Sequence, residues 1–463
     1  MSFWTPEAIK AAVAGTYLAR GEATTLSGVS IDSRTVKPGD LFVALRGATT
    51  DGHRYLGQAL ALGAAMVLVE DRAAWEAAGA SAWAVLVPDT GAALLRLGAA
   101  YRRTLDMTRV VAVGGSNGKT TTVRLIHAML SRSLRGTHSP KSFNNAVGVP
   151  LTILAAKRTD QYLICEVGTN APGEIAPLAR AVEPDVAVIT SVGREHLEGL
   201  GSLDGVLKEE VSLLTGLRRG GLAILNADAP GLVEAAQPIV AAQGGTILTF
   251  GEGAGADLRG GDIRAGVDVT TFMLNERTAM RMPLLGRHNV TNALAAIGVA
   301  RRLGVPQGEI ERGLAEAAGP PMRLERSEIG GVTVINDAYN ANPESMLAAL
   351  AWFAAAPVPV GTRRVVVLGD MLELGEAAPA AHAEIVRAAT TCAGVERVVL
   401  VGPMMGAAGR AEGSLRLRMV GPLREGGAVE AASECRRGDW VLLKGSRGME
   451  LEHVAAALRE RVS

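Results

Sequence analysis

No sign of charge prevails in this chain of 463 residues: 47 basic side chains stand against 47 acidic ones, with no long run of Lys or Arg. A nucleic-acid or membrane-surface footprint needs concentrated positive charge, so neither partner is expected. Cysteine is scarce as well. Cys165, Cys392 and Cys435 are odd in number and widely spaced, which leaves no basis for a disulfide framework or a paired-thiolate metal site. Cys165 lies in an apolar run and reads as a small buried hydrophobe. No apolar stretch approaches the ~18 residues that would span a bilayer. Met1 to Glu7 lack the basic and apolar halves of a secretory signal. The expected compartment is the cytoplasm. Tandem repeats and low-complexity tracts are also missing.

What is present is ample apolar material, 48% of the chain, enough for several buried cores. One core rarely organises more than ~200 residues, so about three domains are expected. The reading is α/β throughout. Residues 1–105 mix short strands (Asp40–Leu45, Ala65–Val69) with a helix over His53–Leu62, a smaller N-terminal α/β domain. Residues 106–319 show strand-like runs at Val110–Val113, Tyr162–Cys165, Val186–Thr190 and Leu222–Leu225, separated by helical stretches. That pattern implies a central parallel sheet of P-loop type, covered on both faces. Gly319-Pro320-Pro321 punctuates the chain. Beyond it, over 320–463, four runs (Val332–Ile335, Val365–Leu368, Val398–Val401, Val441–Leu443) predict a Rossmann-like sheet. Each run ends in Asp, Gly or Lys, where open parallel sheets carry their chemistry.

The strongest motif is Gly114-Gly115-Ser116-Asn117-Gly118-Lys119-Thr120-Thr121, between the Val110–Val113 run and an amphipathic helix read as Thr120–Leu134. Glycines let backbone N–H groups close around phosphate oxygens, and the helix N-terminus adds partial positive charge. Lys119 suits the β- and γ-phosphates, and the Thr120 hydroxyl suits Mg²⁺. The general pattern would have Gly at 113, where this chain has Val113. A Gly-rich turn capping a helix is the blander reading, disfavoured by the strand before and the helix after. Only seven of the 47 basic residues are lysines, and Lys119 and Lys444 both fall inside motifs. Where Arg is habitual, a retained Lys hints at a compact point charge.

The loop resembles the ATP site of Mur ligases and folylpolyglutamate synthetases, and the resemblance runs along most of the chain. Glu166–Glu174 is similar to the family's acidic metal-binding turn, Thr190–Gly201 to its metal-histidine segment with His196, and Gly286–Ala296 to its adenine-contacting helix with Asn292. Arg323 falls where the family places an Arg near the phosphates, and Asp337 where an Asp holds the ribose. Asn336–Ser345, Gly369–Gly375 and Lys444–Arg447 resemble the member that takes D-alanyl-D-alanine, and the Asp-Asn-Pro-Arg run of the diamino-acid-adding member is absent. Ser30–Arg34 and Asp51–His53 resemble its UDP-sugar domain.

The resemblance implies an ATP-dependent carboxylate–amine ligase, working with Mg²⁺ as a monomer, that joins D-alanyl-D-alanine to a UDP-N-acetylmuramoyl-tripeptide. It implies catalytic roles for Lys119, His196 and Arg323. Nucleotide contacts would come from Gly115, Ser116, Asn117, Gly118, Lys119, Thr120, Thr121, Asn292, Arg323 and Asp337. Mg²⁺ would be held by Thr120, Glu166 and His196, with a general-base role for His196 as the rival reading. Substrate contacts would come from Ser33, Arg34, Asn144, Asn145, Tyr339, Asn340, Asn342, Lys444 and Arg447. Asn342 before Pro343 equally reads as a helix cap. Several Mur ligases carry a carbamylated lysine beyond the metal histidine. Lys208 lies two residues short of that place and Glu210 occupies it, while Lys208-Glu209-Glu210 together read as a solvated helix face.

Overall fold

The computed structural model describes residues 3–461 apart from 23, 48, 80 and 81. Three sheets follow one another along the chain. The first has five strands in the order Thr16–Ala19, Trp83–Leu86, Met66–Val69, Asp40–Val43, Gly28–Ser30, parallel except for the first pair. The expected helix over His53–Leu62 opens instead as a 3-10 turn, Gly52–Tyr55, before Leu56–Ala61. Asp51 accepts from the His53 N–H and ring Nδ1, which tightens that first turn.

The central sheet has nine strands among the described residues, and the four expected runs lie in its parallel part as the strands Arg109–Gly114, Tyr162–Glu166, Val186–Ile189 and Leu222–Asn226. It is not parallel throughout. Leu258–Ala265, Thr270–Leu274 and Thr278–Met282 form an antiparallel meander at one edge. The helix after the glycine loop runs Lys119–Leu130 and ends four residues earlier than its periodicity predicts. Leu134 still packs against the core from the turn that follows, so its apolar spacing was inherited by a loop.

The third sheet runs Glu325–Ile329, Val332–Asn336, Trp440–Lys444, Arg364–Gly369, Val395–Val401, Leu417–Val420, parallel except for the first pair. The four strands read from the sequence form its buried middle.

The first and central sheets share one hydrophobic core. Leu41, Met66, Leu94 and Leu97 belong to the same cluster as Val110, Val149 and Ile175. The helix Thr90–Arg102, capped by Asp89, carries this joint. Its Tyr101 hydroxyl donates to the Ala156 carbonyl at 2.7 Å, and Arg102 Nε donates to the Val182 carbonyl at 2.8 Å. The third sheet keeps its own clusters on its two faces; Leu197, Ala265, Val267 and Leu285 of the central unit pack against one of them, and beside that apolar contact the two units face each other through polar groups. That division places the chemistry at a polar seam.

Candidate active site

The glycine loop begins where the strand Arg109–Gly114 ends. Val113, at the position where the general motif has Gly, is a fully buried strand residue paired with Glu166, so the departure is a core requirement. Gly115 and Gly118 take φ of +113° and +88°. A Cβ on Gly115 would stand 2.3 Å from Thr190 Oγ1, and one on Gly118 2.1 Å from Asn292 Oδ1. Neither position admits a side chain. The Thr190 hydroxyl reaches the carbonyls of Gly114 and Asn117, and the Asn117 N–H donates to Ser191 Oγ at 2.8 Å. The loop is thus pinned to the neighbouring strand end.

Lys119 Nζ folds back onto its own loop, donating to the Gly115 and Ser116 carbonyls at 2.6 and 3.2 Å, and stands 3.7 Å from Glu195 Oε1. Burial alone would pull its pKa down, but the carboxylates of Glu195, Glu210 and Glu166 outweigh burial and hold it above the ordinary value. Those three carboxylates are themselves buried, and desolvation pushes each of them up against the pull of Lys119. Glu210 Oε2 accepts from the Gly115 N–H at 2.6 Å, and Glu210 Oε1 has no partner. Glu166 Oε1 accepts from Asn144 Nδ2 at 3.0 Å, and Glu166 Oε2 is buried without a partner.

The third sheet supplies the facing wall. Lys444 Nζ donates to Asp337 Oδ2 and to the Asn340 carbonyl, and the Leu324 N–H donates to Asp337 Oδ1. The Arg323 guanidinium lies over the Tyr339 ring at 4.4 Å and reaches Thr120 Oγ1 at 3.5 Å. The Tyr339 hydroxyl donates to Ser142 Oγ at 2.6 Å, and Asn342 Nδ2 donates to Asn117 Oδ1 at 3.0 Å. Asn342 also caps the helix Pro343–Ala355 through a reciprocal bond with Ser345, which is the cap reading of that residue. Arg194 joins Glu344 and Glu384 across the seam.

Between the walls lies a cavity of about 840 Å³. Ser116, Asn117, Gly118, Lys119, Thr121, Asn144, Asn145, Glu166, His196 and Asn292 line it from the central unit, and Arg323, Asp337, Tyr339, Asn340, Asn342 and Lys444 from the third. Gly115 and Thr120 are buried beside it. A cavity joining a phosphate loop to a second α/β unit fits a ligase or a kinase alike.

Comparison with known proteins decides between them. Residues 113–300 match the Mur ligase middle domain, 322–447 the Mur ligase glutamate ligase domain, and 25–102 the Mur ligase family catalytic domain. A Bacillus subtilis (strain 168) protein named UDP-N-acetylmuramoyl-tripeptide--D-alanyl-D-alanine ligase is 36% identical over 447 residues, covering 95% of this chain and 94% of that one. The chain belongs to the Mur ligase family. A crystal structure of MurF from Acinetobacter baumannii superposes with a TM-score of 0.88 at 30% identity, covering 99% of both chains. A second, the MurF ligase of Thermotoga maritima in complex with ADP, gives 0.80 at 25% identity, covering 94% of this chain and 97% of that one.

In this Mur ligase the predicted residues Ser33, Arg34 and Arg447 stand apart from the cavity. Ser33 donates to Gln58 Oε1 at 2.9 Å, Arg34 pairs with Asp32, and Arg447 pairs with Glu452. Asn292, polar in an Ala-rich helix, accepts from Thr122 Oγ1 and donates to Asn289 Oδ1 while backing Gly118. The reading of Lys208-Glu209-Glu210 as a solvated face is corrected. Lys208 is exposed, but Glu209 and Glu210 are buried, Glu209 accepting from the Gly173 and Ile175 N–H groups at 2.8 Å. Glu195, Ser142 and His288, which also line the cavity, were not singled out from the sequence. Glu210 was detectable: it falls four residues after the buried Val206, on the apolar face of the helix Leu203–Val211. The Cys165 reading agrees with the structure, since the thiol is fully buried and desolvation pushes it up to about 12.

Magnesium fits the residues present. Glu166 Oε2 is a buried hard oxygen that accepts no hydrogen bond among the described residues, and the Thr120 hydroxyl, 3.2 Å from Ser142 Oγ, lies close enough to Glu166 to lower its pKa. Among the described residues no three His, Cys, Asp or Glu side chains converge as a metal cage. Mg²⁺ commonly takes one or two protein oxygens and completes its shell with phosphates and water.

Proposed function

We propose that this Mur ligase joins D-alanyl-D-alanine to a UDP-N-acetylmuramoyl-tripeptide, with ATP converted to ADP and phosphate. The observation that carries the reading is the single cavity where Lys119, Glu166 and His196 face Arg323, Asp337 and Tyr339. The full-length likeness to the Bacillus subtilis ligase supports the choice of substrates.

A carboxylate does not condense with an amine at neutral pH, because oxide cannot leave. Here a tripeptide carboxylate oxygen attacks the γ-phosphorus, the bond to the bridging oxygen breaks, and ADP departs. The amine nitrogen of D-alanyl-D-alanine attacks the acyl phosphate carbonyl, phosphate leaves from the tetrahedral adduct, and the nitrogen gives up its proton. Lys119 and the amides at the start of the helix Lys119–Leu130 bind the phosphates, the lysine leaving the Gly115 and Ser116 carbonyls for phosphate oxygens. Arg323 adds charge from the opposite wall, Asp337 orients the ribose, and Asn292 lies toward the base. Thr120 and Glu166 would hold one Mg²⁺ and His196 a second, which together supply several kcal/mol of charge neutralisation at the transferring phosphoryl group. A helix terminus, at about 0.3–1 kcal/mol per charge, is too weak to do this alone.

No helix among the described residues is long and apolar enough to cross a membrane. With ATP as substrate, the proposed compartment is the cytoplasm, the proposed role a step in peptidoglycan precursor synthesis, and the proposed working form a monomer.

The test is phosphate release with purified UDP-linked tripeptide and a panel of amines. Turnover with D-alanyl-D-alanine and not with free lysine or diaminopimelate is expected, and the reverse preference overturns the substrate assignment. Oxygen-18 in the tripeptide carboxylate should appear in the released phosphate. Nucleotide binding with no acceptor-stimulated release would instead mark a regulator without ligase turnover.

A further inference from the structure

The segment Gly369–Gly375 has no part in the nucleotide contacts described above, although it leaves the carboxyl end of a central strand of the third sheet. Its tip crosses to the central unit. The Glu373 carboxylate accepts from His196 Nδ1. The Glu373 carbonyl accepts from the Glu198 N–H at 3.1 Å, and a Cβ on Gly375 would fall 3.1 Å from Glu198 Cα. From behind, the Met371 N–H donates to His382 Nε2 at 3.0 Å and the Leu372 N–H to Ser446 Oγ at 2.9 Å. The segment is held on both sides.

His196 and Glu373 both carry positive φ, 49° and 64°. Residues with a Cβ enter that region at an energetic cost that glycine avoids. If the two turns served only the chain path, glycine would serve at either. Two strained non-glycine residues that meet through their side chains point to a requirement for those side chains.

We infer that Glu373 is a positioning residue for His196. Donation from Nδ1–H to the carboxylate sets one tautomer and one ring orientation, as carboxylate partners do for metal-binding histidines. Nε2, 3.9 Å from Glu195 Oε2, is left as the nitrogen that can bind a cation. His196 belongs to the central unit and Glu373 to the third, so the histidine is set only when the two units meet. The inference rests on the reading of His196 as a cation ligand.

Mn²⁺ in place of Mg²⁺ tests it, with binding read by electron paramagnetic resonance in the presence of a non-hydrolysable ATP analogue. Wild type, Glu373→Ala, Glu373→Gln and His196→Ala are compared in the full chain, with circular dichroism confirming that each is folded. Glu373→Ala is expected to weaken Mn²⁺ binding about 10-fold or more, with analogue affinity in the absence of metal unchanged. Glu373→Gln, which keeps an acceptor oxygen, should fall between Glu373→Ala and wild type. Wild-type Mn²⁺ affinity in Glu373→Ala, beside a loss in His196→Ala, overturns the inference and leaves the cation reading standing. Wild-type affinity in both variants overturns the cation reading and the inference with it. A loss of metal-free analogue affinity in Glu373→Ala would assign the effect to packing and also overturn it.

Discussion

Lys444 Nζ lies 2.7 Å from Asp337 Oδ2, and the two side chains are only 3% and 14% exposed. This pair ties the end of the strand Trp440–Lys444 to the loop that carries Asp337, Tyr339, Asn340 and Asn342. Removing one partner of a buried pair leaves the other charge uncompensated, at a typical cost of about 3 kcal/mol or more. Lys444→Met is expected to destabilise the chain by about 3 kcal/mol in urea unfolding and to raise KM for ATP more than it lowers kcat. A variant with wild-type stability and KM would remove Lys444 from this role.

Lys119 is held within a ring of its own loop carbonyls and three carboxylates. Lys119→Ala should lower turnover by roughly 10²-fold or more, the usual loss for an electrostatic partner of a transition state. Gly118→Ala should match that loss by a different route, because its Cβ would strike Asn292 Oδ1. Steady-state phosphate release measures both. A change below about threefold in Lys119→Ala would count against the phosphate-loop reading, since even one lost donor in such a site costs far more.

Arg194 holds the seam between the central and third units through Glu344 and Glu384, at 2.6 and 2.8 Å. Its side chain is about a third exposed, at 34%, so each pair is open to salt. Arg194→Ala is expected to cost under about 1 kcal/mol in fold stability yet to widen the particle in small-angle scattering. Wild type should approach the same curve as salt is raised. Identical curves for the two proteins at every salt concentration would show that Arg194 does not govern closure.

His138 stacks on His127 with ring centroids 3.9 Å apart, and His127 Nδ1 bonds the Tyr162 hydroxyl. Burial, with His127 and Arg124 adding like charge, pushes the His138 imidazole down to about 4. Unfolded, it titrates near ~6.5. Between those values the unfolded chain binds a proton that the folded chain refuses. The contribution of His138 to stability is therefore complete above ~6.5 and is lost as pH falls toward the folded value. His138→Phe should flatten this acid limb in denaturant midpoints measured from pH 7 down to 5. An unchanged slope would remove His138 as its source.

Local chemistry made the glycine loop, its strand and its helix legible, because Gly, Lys and Thr at that spacing have few other uses. The middle strands of the second and third sheets were legible for a similar reason: strands buried on both faces are written as unbroken apolar runs. The antiparallel meander at Leu258–Met282 was not, because its exposed edge alternates polar and apolar residues with glycine between them. Glu209 and Glu210 misled for a related reason. Charge beside Lys208 looks solvated until the backbone amides of Gly173, Ile175 and Gly115 are brought to it.

The linear order of residues determined which groups exist to bind phosphate, and that three α/β units would form around apolar runs. Only the tertiary structure decided that Glu195 and Glu210 would sit beside Lys119, that Lys444 would face Asp337 and that Glu373 would reach His196. These partners are separated by 76 to 177 positions in the chain. Nothing in local propensity or spacing encodes such meetings; the packing of one sheet's strand ends against another's brings them about.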